Sequence, residues 1–461
     1  MIVSIAMNRT VAINVVGLTR SLVGDATPRI RELLAASADI HAITPAVTCP
    51  AQSTYLTGKL PRDHGIVGNG WYFRDLGEVF FWRQSNRLVR GEKIWHEGKR
   101  RNPAFTCANS FWWYNMNTDA DWSVTPRPLY LADGRKLPDC ASDPPELRER
   151  FNREFGTFPL FKFWGPATSI ESSEWIAKAA MAIEEAHSPT LQLVYLPHLD
   201  YVLQREGPHG NIARDLGEID AICGRLLDFF RERGLRMILL SEYGITPVSR
   251  HVHPNRILRE AGLLNVKADL GREYPDTYRS RAFAVADHQI AHVYVRNGAD
   301  VPAVKKLFTG VTGVERVLDE DGKREYGLDH DRSGELVLLS DADCWFTYYF
   351  WRDDDKAPDY ARTVDIHRKP GYDPCELFID PEIKFPKLKI GAALMKKILG
   401  FRYMMDVIPL DAALVKGSHG RITDADADGP VFMTTEPKFL SGGHMEAVDV
   451  YGAILDHIFK L

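Results

Sequence analysis

Two side chains with nucleophilic chemistry stand together in "TPAVTCPAQSTYLTG" (44–58), the Thr48 hydroxyl and the Cys49 thiol. Pro50 follows them, then a run of small polar residues suited to the start of a helix. The spacing predicts a helix entered at these residues, where free backbone N–H groups gather and a developing anion is stabilised. A threonine hydroxyl attacks at neutral pH only with an adjacent base or a metal ion. Without either, Thr48 is only a helix cap. Other polar residues sit at the ends of apolar runs: Asp200 after "LQLVYL" (191–196), and Ser241, Glu242 and Tyr243 at the end of "RMILLS" (236–241).

The elements that must position these residues alternate in type. "VAINVVGL" (11–18) is a β-branched run ending in glycine, and "ATPRIRELLAASA" (26–38) has a threonine cap, an early proline and apolar residues at helical spacing. "LQLVYL" reads as a buried strand, "NIARDLGEIDAICGRLLDFFRERG" (211–234) as a long amphipathic helix, and "RMILLS" as another strand. This alternation predicts an α/β fold with a mostly parallel central sheet covered by helices on both faces. Ligands of such sheets bind beyond the carboxyl ends of the strands. Residues 70–165 are rich in Trp, Phe, Tyr and Arg and read as an insert walling a pocket, or as satellite packing. We expect one domain over 9–461, with a second insert or cap over 265–400.

Composition narrows the function. With 461 residues, 45% of them hydrophobic, the chain can bury a large core, which excludes a disordered or fibrous protein. A net charge of −5 provides no global basic field, so a small substrate is expected rather than nucleic acid. The six cysteines are scattered without a CxxC pair, which suggests neither a disulfide framework nor a thiolate metal site. "MIVSIAMNRT" lacks the basic and apolar regions of a signal peptide, and no apolar run is long enough for a membrane span. A cytoplasmic protein without a transmembrane segment is the expectation; the sequence is silent on oligomeric state.

Taken in order, "TCPAQSTYLTGKLPRDHGIVGN", "GEKIW", "LPHLDYVLQREGP", "LLSEYGI" and "GSHG" resemble the landmarks of the nucleotide pyrophosphatase/phosphodiesterase branch of the alkaline phosphatase superfamily. The likeness runs along nearly the whole chain. The family's nucleophile segment, T-F-P-N followed by T-G and H-G-I, is matched by Thr48, Pro50, Thr57, Gly58, His64, Gly65 and Ile66. The resemblance implies an alkaline phosphatase-like core, Thr48 as nucleophile and Cys49 as a bystander.

The family binds two zinc ions, and the resemblance carries its ligands over with losses. Asp200 is kept in "DYVLQREGP", where Gln204 replaces a histidine; in "SEYGI", Glu242 stands for an aspartate and Tyr243 for a histidine; His419 is intact in "GSHG". Val16 stands where the family has an aspartate, with Asn14 on the same strand face two residues earlier. The implied cofactor is therefore a divalent metal, Mg, Mn or Zn, as one ion or two, held by Asp200, Glu242 and His419, with Gln204, Tyr243 and Asn14 as further metal or substrate contacts.

Replacement ligands could come from "DIHRKPGYDP" (365–374), with Asp365, His367, Lys369 and Asp373, or from "SRHVHPNR" (249–256), with His251 and His253. Each histidine alone is more often an ordinary polar surface residue, and as a cluster near one sheet edge they are better candidates. "VADHQIAHVYV" (285–295) carries Asp287, His288 and His292 in a strand pattern that favours a structural role. "DADADG" (424–429) imitates half of a calcium loop, but Thr435 occupies the place of the closing glutamate, so a solvated acidic loop is expected. Arg205, Arg250, Arg368 and Lys369 could pair with phosphate or be surface charges. "KFPKLKIGAALMKKILGF" (384–401) is basic and amphipathic and could lie on a membrane surface, although such a stripe is more often an ordinary solvated helix face.

Three functions remain open at this point. The first is metal-dependent hydrolysis of phosphate esters, most naturally diesters or pyrophosphate bonds, through Thr48. The second is a degenerate relative that binds a small phosphorylated metabolite or a partner without turnover, and the third is a phosphoryl transferase or mutase.

Overall fold

The computed structural model describes residues 6–461. The first five residues, on which part of the amino-terminal reading rests, lie outside the described ones. Thirteen strands frame the molecule: β1 (Thr10–Val15), β2 (Ser37–His41), β3 (Cys107–Ser110), β4 (Trp122–Pro126), β5 (Cys140–Asp143), β6 (Leu191–Leu196), β7 (Arg236–Leu240), β8 (Ala282–Asp287), β9 (Ile290–Val295), β10 (Val314–Leu318), β11 (Leu336–Ser340), β12 (Val431–Thr434) and β13 (His444–Glu446). Nine of them form one sheet in the order β13-β2-β12-β7-β1-β6-β3-β4-β5. β7, β1, β6, β3 and β4 run parallel at its centre, β13 joins β2 in parallel at one edge, and β12 and β5 are antiparallel to their neighbours.

Every residue of β1 and of β6 is buried, and successive strand residues point to opposite faces, so both faces of the sheet are covered. That is why these strands read as unbroken apolar runs rather than alternating ones. α2 (Glu171–His187) packs on β6 and against α4 (Ala213–Glu232); α6 (Asp449–Phe459) packs on β1 together with α1 (Thr48–Thr57). Between them lie α3 (His198–Glu206), which follows β6 directly, and α5 (Pro386–Ile398). A second sheet, β8-β9-β11-β10, is antiparallel throughout and lies within the segment 265–400.

Two local expectations differ from the structure. The helical pattern of 26–38 yields only a single turn, Pro28–Arg31, and a short 3-10 turn, Leu34–Ala36, before the chain enters β2. The pairing of β2 with β12 and β13 outweighs its local helical spacing. The aromatic-rich stretch 70–165 contributes β3, β4 and β5 to the central sheet, because its short strands carry small and polar residues rather than the apolar runs that announce a buried strand. All six cysteines are free and buried. Among the described residues no helix is long and apolar enough to cross a membrane.

Candidate functional site

The parallel register aligns Asn14 of β1 with Tyr195 of β6 and with Leu240 of β7, so the carboxyl ends of these three strands open onto one place. Thr48, the first residue of α1, Asp200 in the first turn of α3, Tyr243 just past β7, and His419 line a cavity of about 40 Å³ there. Its aromatic walls include Trp82, Trp113, Trp164 and Tyr372. Among the described residues, no lysine or arginine lines it.

Thr48 is 3% exposed, and its Oγ1 lies 3.3 Å from Tyr243 Oη. The backbone N–H of Cys49 donates to Asn69 Oδ1 at 2.9 Å. Asn69 is itself fixed, since its N–H donates to Asp287 Oδ2 at 2.9 Å and its amide donates to Asp287 Oδ1 and to Tyr372 Oη. The Cys49 thiol lies in an apolar cluster with Ile66, Val67 and Trp71. Burial, with Asp287 and Glu242 nearby, pushes its pKa well up, so it stays a thiol. Of the two nucleophiles in the opening stretch, only Thr48 faces the cavity.

Asp200 accepts from Tyr243 Oη at 3.1 Å on Oδ1 and from Gln204 Nε2 at 2.7 Å on Oδ2, one helical turn away. Burial raises it to about 6 against these hydrogen bonds. Glu242, 1% exposed, accepts on Oε1 from Asn14 Nδ2 at 2.6 Å and from Gln52 Nε2. Burial drives it to about 8, although hydrogen bonds from Gln52, Asn14 and Thr48 oppose the shift. His419 hydrogen-bonds the Ala46 carbonyl through Nδ1 at 2.9 Å, which leaves Nε2 facing Asp200 Oδ1 at 3.9 Å. Burial lowers His419 to about 3, so the ring is neutral. It is stacked flat on Tyr243, with centroids 3.7 Å apart, and lies 4.0 Å from the His288 ring.

Three acceptors in this cluster are buried without a partner: Gln204 Oε1, Glu242 Oε2 and Asn14 Oδ1. The Asp200 carboxyl, the neutral His419 ring and the unpartnered Gln204 Oε1 line the cavity together, with no lysine or arginine among its described lining residues, and form a donor set that suits a positive ion. For one divalent ion the residues fit: a carboxylate (Asp200), a neutral imidazole (His419) and an amide oxygen (Gln204). A pair of zinc ions does not fit. Val16 is buried in the apolar core, Tyr243 brings a protonated phenol against His419, and Glu242 is held by two amides.

The remaining predicted residues lie elsewhere. His367 lies beside Trp113 in a neighbouring small cavity, with Nδ1 3.3 Å from the Trp82 carbonyl. Asp373 caps a turn by accepting from the Cys375 N–H. His251 and His253 line a separate cavity of about 390 Å³, where His253 Nδ1 is 2.7 Å from Thr347 Oγ1. Arg205 bonds Thr168, Arg250 pairs with Asp341 and Asp343, Arg368 covers Tyr130, and Lys369 pairs with Glu376. Asp365 accepts from Tyr130 and meets Lys136. In the acidic loop, Asp424 pairs with Arg421. None of these touches the Thr48 cavity.

Sequence reading missed Asn69 and Gln52 and assigned His288 a structural role. Asn69 closes the quoted "HGIVGN", and Gln52 lies one turn beyond Thr48 on the same helix face, a signal that was available. His288 reaches the cavity because the β8–β9 turn holds it in the left-handed region at φ 60°, a conformation no strand pattern announces. His292, by contrast, bridges the Val67 carbonyl and the Gly334 N–H inside the second sheet's packing. Among the described residues, the group whose His and carboxylate ligand atoms do crowd together is His198, Asp215 and Glu218, outside the cavity.

Residues 10–373 match the family described as type I phosphodiesterase / nucleotide pyrophosphatase. Over 242 residues the chain is 26% identical to an uncharacterized pyrophosphatase/phosphodiesterase of Schizosaccharomyces pombe, covering 50% of this chain and 41% of that protein. It is 21% identical over 263 residues to ectonucleotide pyrophosphatase/phosphodiesterase family member 1 of Rattus norvegicus, covering 52% and 24%. The chain thus matches less than half the length of these curated relatives. Among solved structures, murine ectonucleotide pyrophosphatase/phosphodiesterase 5, an inactive threonine-to-alanine form in complex with AMP, superimposes with a TM-score of 0.59 at 14% identity, over 98% of this chain and 95% of that one. Phosphonoacetate hydrolase from Sinorhizobium meliloti, in complex with phosphonoformate, superimposes with a TM-score of 0.60 at 15% identity, over 98% and 96%. These likenesses establish the shared fold.

Proposed function

The chain belongs to the type I phosphodiesterase / nucleotide pyrophosphatase family, and from that premise we propose that it hydrolyses phosphate esters, diesters or pyrophosphate bonds of a small phosphorylated substrate, with Thr48 as the nucleophile. The observation that carries this reading is the presentation of Thr48 at the first turn of α1, inside the one cavity that also holds Asp200, Tyr243 and His419. That a threonine-to-alanine form of a structural neighbour is inactive agrees with it.

Thr48 Oγ1 attacks phosphorus, and its proton passes to the ionised form of Glu242, a buried neighbouring carboxyl whose Oε2 has no hydrogen-bond partner. The P–O bond to the leaving group breaks, and water then cleaves the phospho-threonine. Asp200, His419 and Gln204 would hold one divalent ion, which when bound would supply positive charge to the nonbridging oxygens. Tyr243, with its hydroxyl between Thr48 and Asp200, orients the nucleophile. In this reading the sheet β8–β11 belongs to a cap that brings Asp287 and His288 to the site.

Thr48→Ala is expected to keep the fold and bound metal while turnover of a chromogenic phosphodiester falls at least about a thousandfold. Unchanged turnover overturns the role of Thr48. One observation favours the second reading, binding without hydrolysis: both Asp200 oxygens are occupied by protein donors. Metal analysis separates the two, since protein that takes up no divalent ion is a binder, whereas stoichiometric metal with turnover excludes that role.

A further inference from the structure

The basic stretch at 384–401 folds as α5 (Pro386–Ile398) and leaves an apolar face uncovered. Ile390 and Ala393 turn toward the body of the protein, where Ile390 packs on the cluster containing Trp345, Cys375 and Val407. On the opposite side Leu388 is 71% exposed, Met395 56%, Ile398 78% and Leu399 63%, followed by Phe401 at 65%. At about 100° per residue, Leu388, Ala392, Met395 and Leu399 fall within roughly 60° of one another, a single outward stripe. Of the large hydrophobic side chains exposed among the described residues, eight of fifteen lie between Phe385 and Met404.

The charge around this stripe has one sign. Residues 384–405 contain Lys384, Lys387, Lys389, Lys396, Lys397 and Arg402 and no acidic residue. Among the described residues, Lys389 alone of these six has an ion-pair partner, Asp406. On the helical wheel Lys387 flanks the stripe on one side and Lys396 on the other, each about a quarter turn away. A protein whose net charge is −5 thus concentrates unpaired cations around its main uncovered apolar patch. A second copy of this chain would bring the same six cations against it, which argues against self-association. A surface with an apolar interior and an anionic rim matches both features.

We infer that α5 and the segment to Met404 dock on an anionic lipid bilayer, with Leu388, Met395, Ile398, Leu399 and Phe401 entering the acyl boundary and the lysines meeting the headgroups. The patch reaches the outer side of the walls of the Thr48 cavity. Lys397 Nζ sits 6.0 Å over the Phe161 ring, and Phe161 lines a small cavity whose walls Trp113, Phe163, Trp164 and Ile366 are shared with the Thr48 cavity. Docking therefore brings the bilayer next to these shared walls. The inference stands whether or not the cavity hydrolyses phosphate esters.

Sedimentation of the full chain with phosphatidylcholine vesicles, with and without phosphatidylserine, tests it. The protein is expected to pellet with phosphatidylserine-containing vesicles, to stay in solution with phosphatidylcholine alone, and to be released by high salt. Replacing two lysines, Lys387→Gln and Lys396→Gln, should weaken partition about thirtyfold, on about 1 kcal/mol per surface cation and about 1.4 kcal/mol per tenfold. Leu388→Ser with Ile398→Ser should abolish it. Both pairs are exposed, so their melting curves should match the wild type. Equal binding to neutral vesicles, no binding to either, or full binding by both variants overturns the inference. So does self-association that Leu388→Ser abolishes in a protein that ignores vesicles.

Discussion

Tyr243 marks the widest departure of this site from the family's paired-metal pattern. Its hydroxyl lies between Thr48 and Asp200 while its ring covers His419, so a phenol occupies space where an imidazole would ligate. Tyr243→His should therefore raise the zinc bound per chain above the wild-type value, measured by metal analysis after dialysis. Glu242 supports a pH prediction. Its folded pKa, about 8, is raised above the ordinary 4.5 by burial, so the stability tied to its proton is fully present below 4.5 and is lost as pH rises through about 8. With chelator present, the wild-type melting temperature should fall between pH 6.5 and 8. Glu242→Gln, which keeps a hydrogen-bonding head and cannot ionise, should show a flatter profile there. Asn69 is the residue whose loss would spread furthest. Asn69→Ala strips Asp287 of its amide donor and the Cys49 N–H of its acceptor, a cost of about 1–3 kcal/mol readable in denaturant unfolding.

At the level of elements, the site depends on how closely three segments approach. A Cβ on Gly417, two residues before His419, would lie 2.1 Å from the Leu203 carbonyl of α3, the helix that carries Asp200 and Gln204. Gly417→Ala must push the His419 segment and α3 apart. The expected result is a destabilisation of about 1–3 kcal/mol together with weaker divalent-ion binding, since the two segments proposed to hold the ion separate. A melting curve and a metal titration check the two effects. α1 is held more locally: Gly58, at φ 66° with the Tyr451 ring 3.1 Å from where a Cβ would be, ends the helix where α6 packs over it. The Thr48 end is thus fixed by the packing of the far end.

Across the whole molecule, burial keeps several histidines neutral. His64, His253 and His419 are pushed down to about 3, and His292 and His367 to about 4, chiefly by desolvation. Depressed folded values mean that the associated stability is present above the ordinary 6.5 and is lost as pH falls below it toward 3–4. Asp200, Asp287 and Asp373, each raised to about 6, act in the opposite direction with smaller shifts. The balance predicts acid unfolding that begins below about pH 6.5. His292→Gln, distant from the cavity and bonded to two backbone groups, should lose part of that pH slope in thermal melts.

What the sequence determined by itself was the set of elements whose pattern is local. β1, β6 and β7 read directly as buried strands because helices on both faces make them continuous apolar runs, and the helix start at Thr48 was visible in its proline and small polar residues. The retained landmarks around Thr48, Asp200, Glu242 and His419 pointed to one family, and the match over residues 10–373 agrees. Only the tertiary structure decided which of the scattered candidates meet. His288 entered the cavity through a left-handed turn, whereas His251, His253, His367 and Asp373 were carried to other places. Convergence of this kind depends on strand order and on which way a turn points its side chain, and both come from contacts between residues hundreds of positions apart. The same holds for β3, β4 and β5, whose polar sequences become sheet only because β6 offers an edge to pair with.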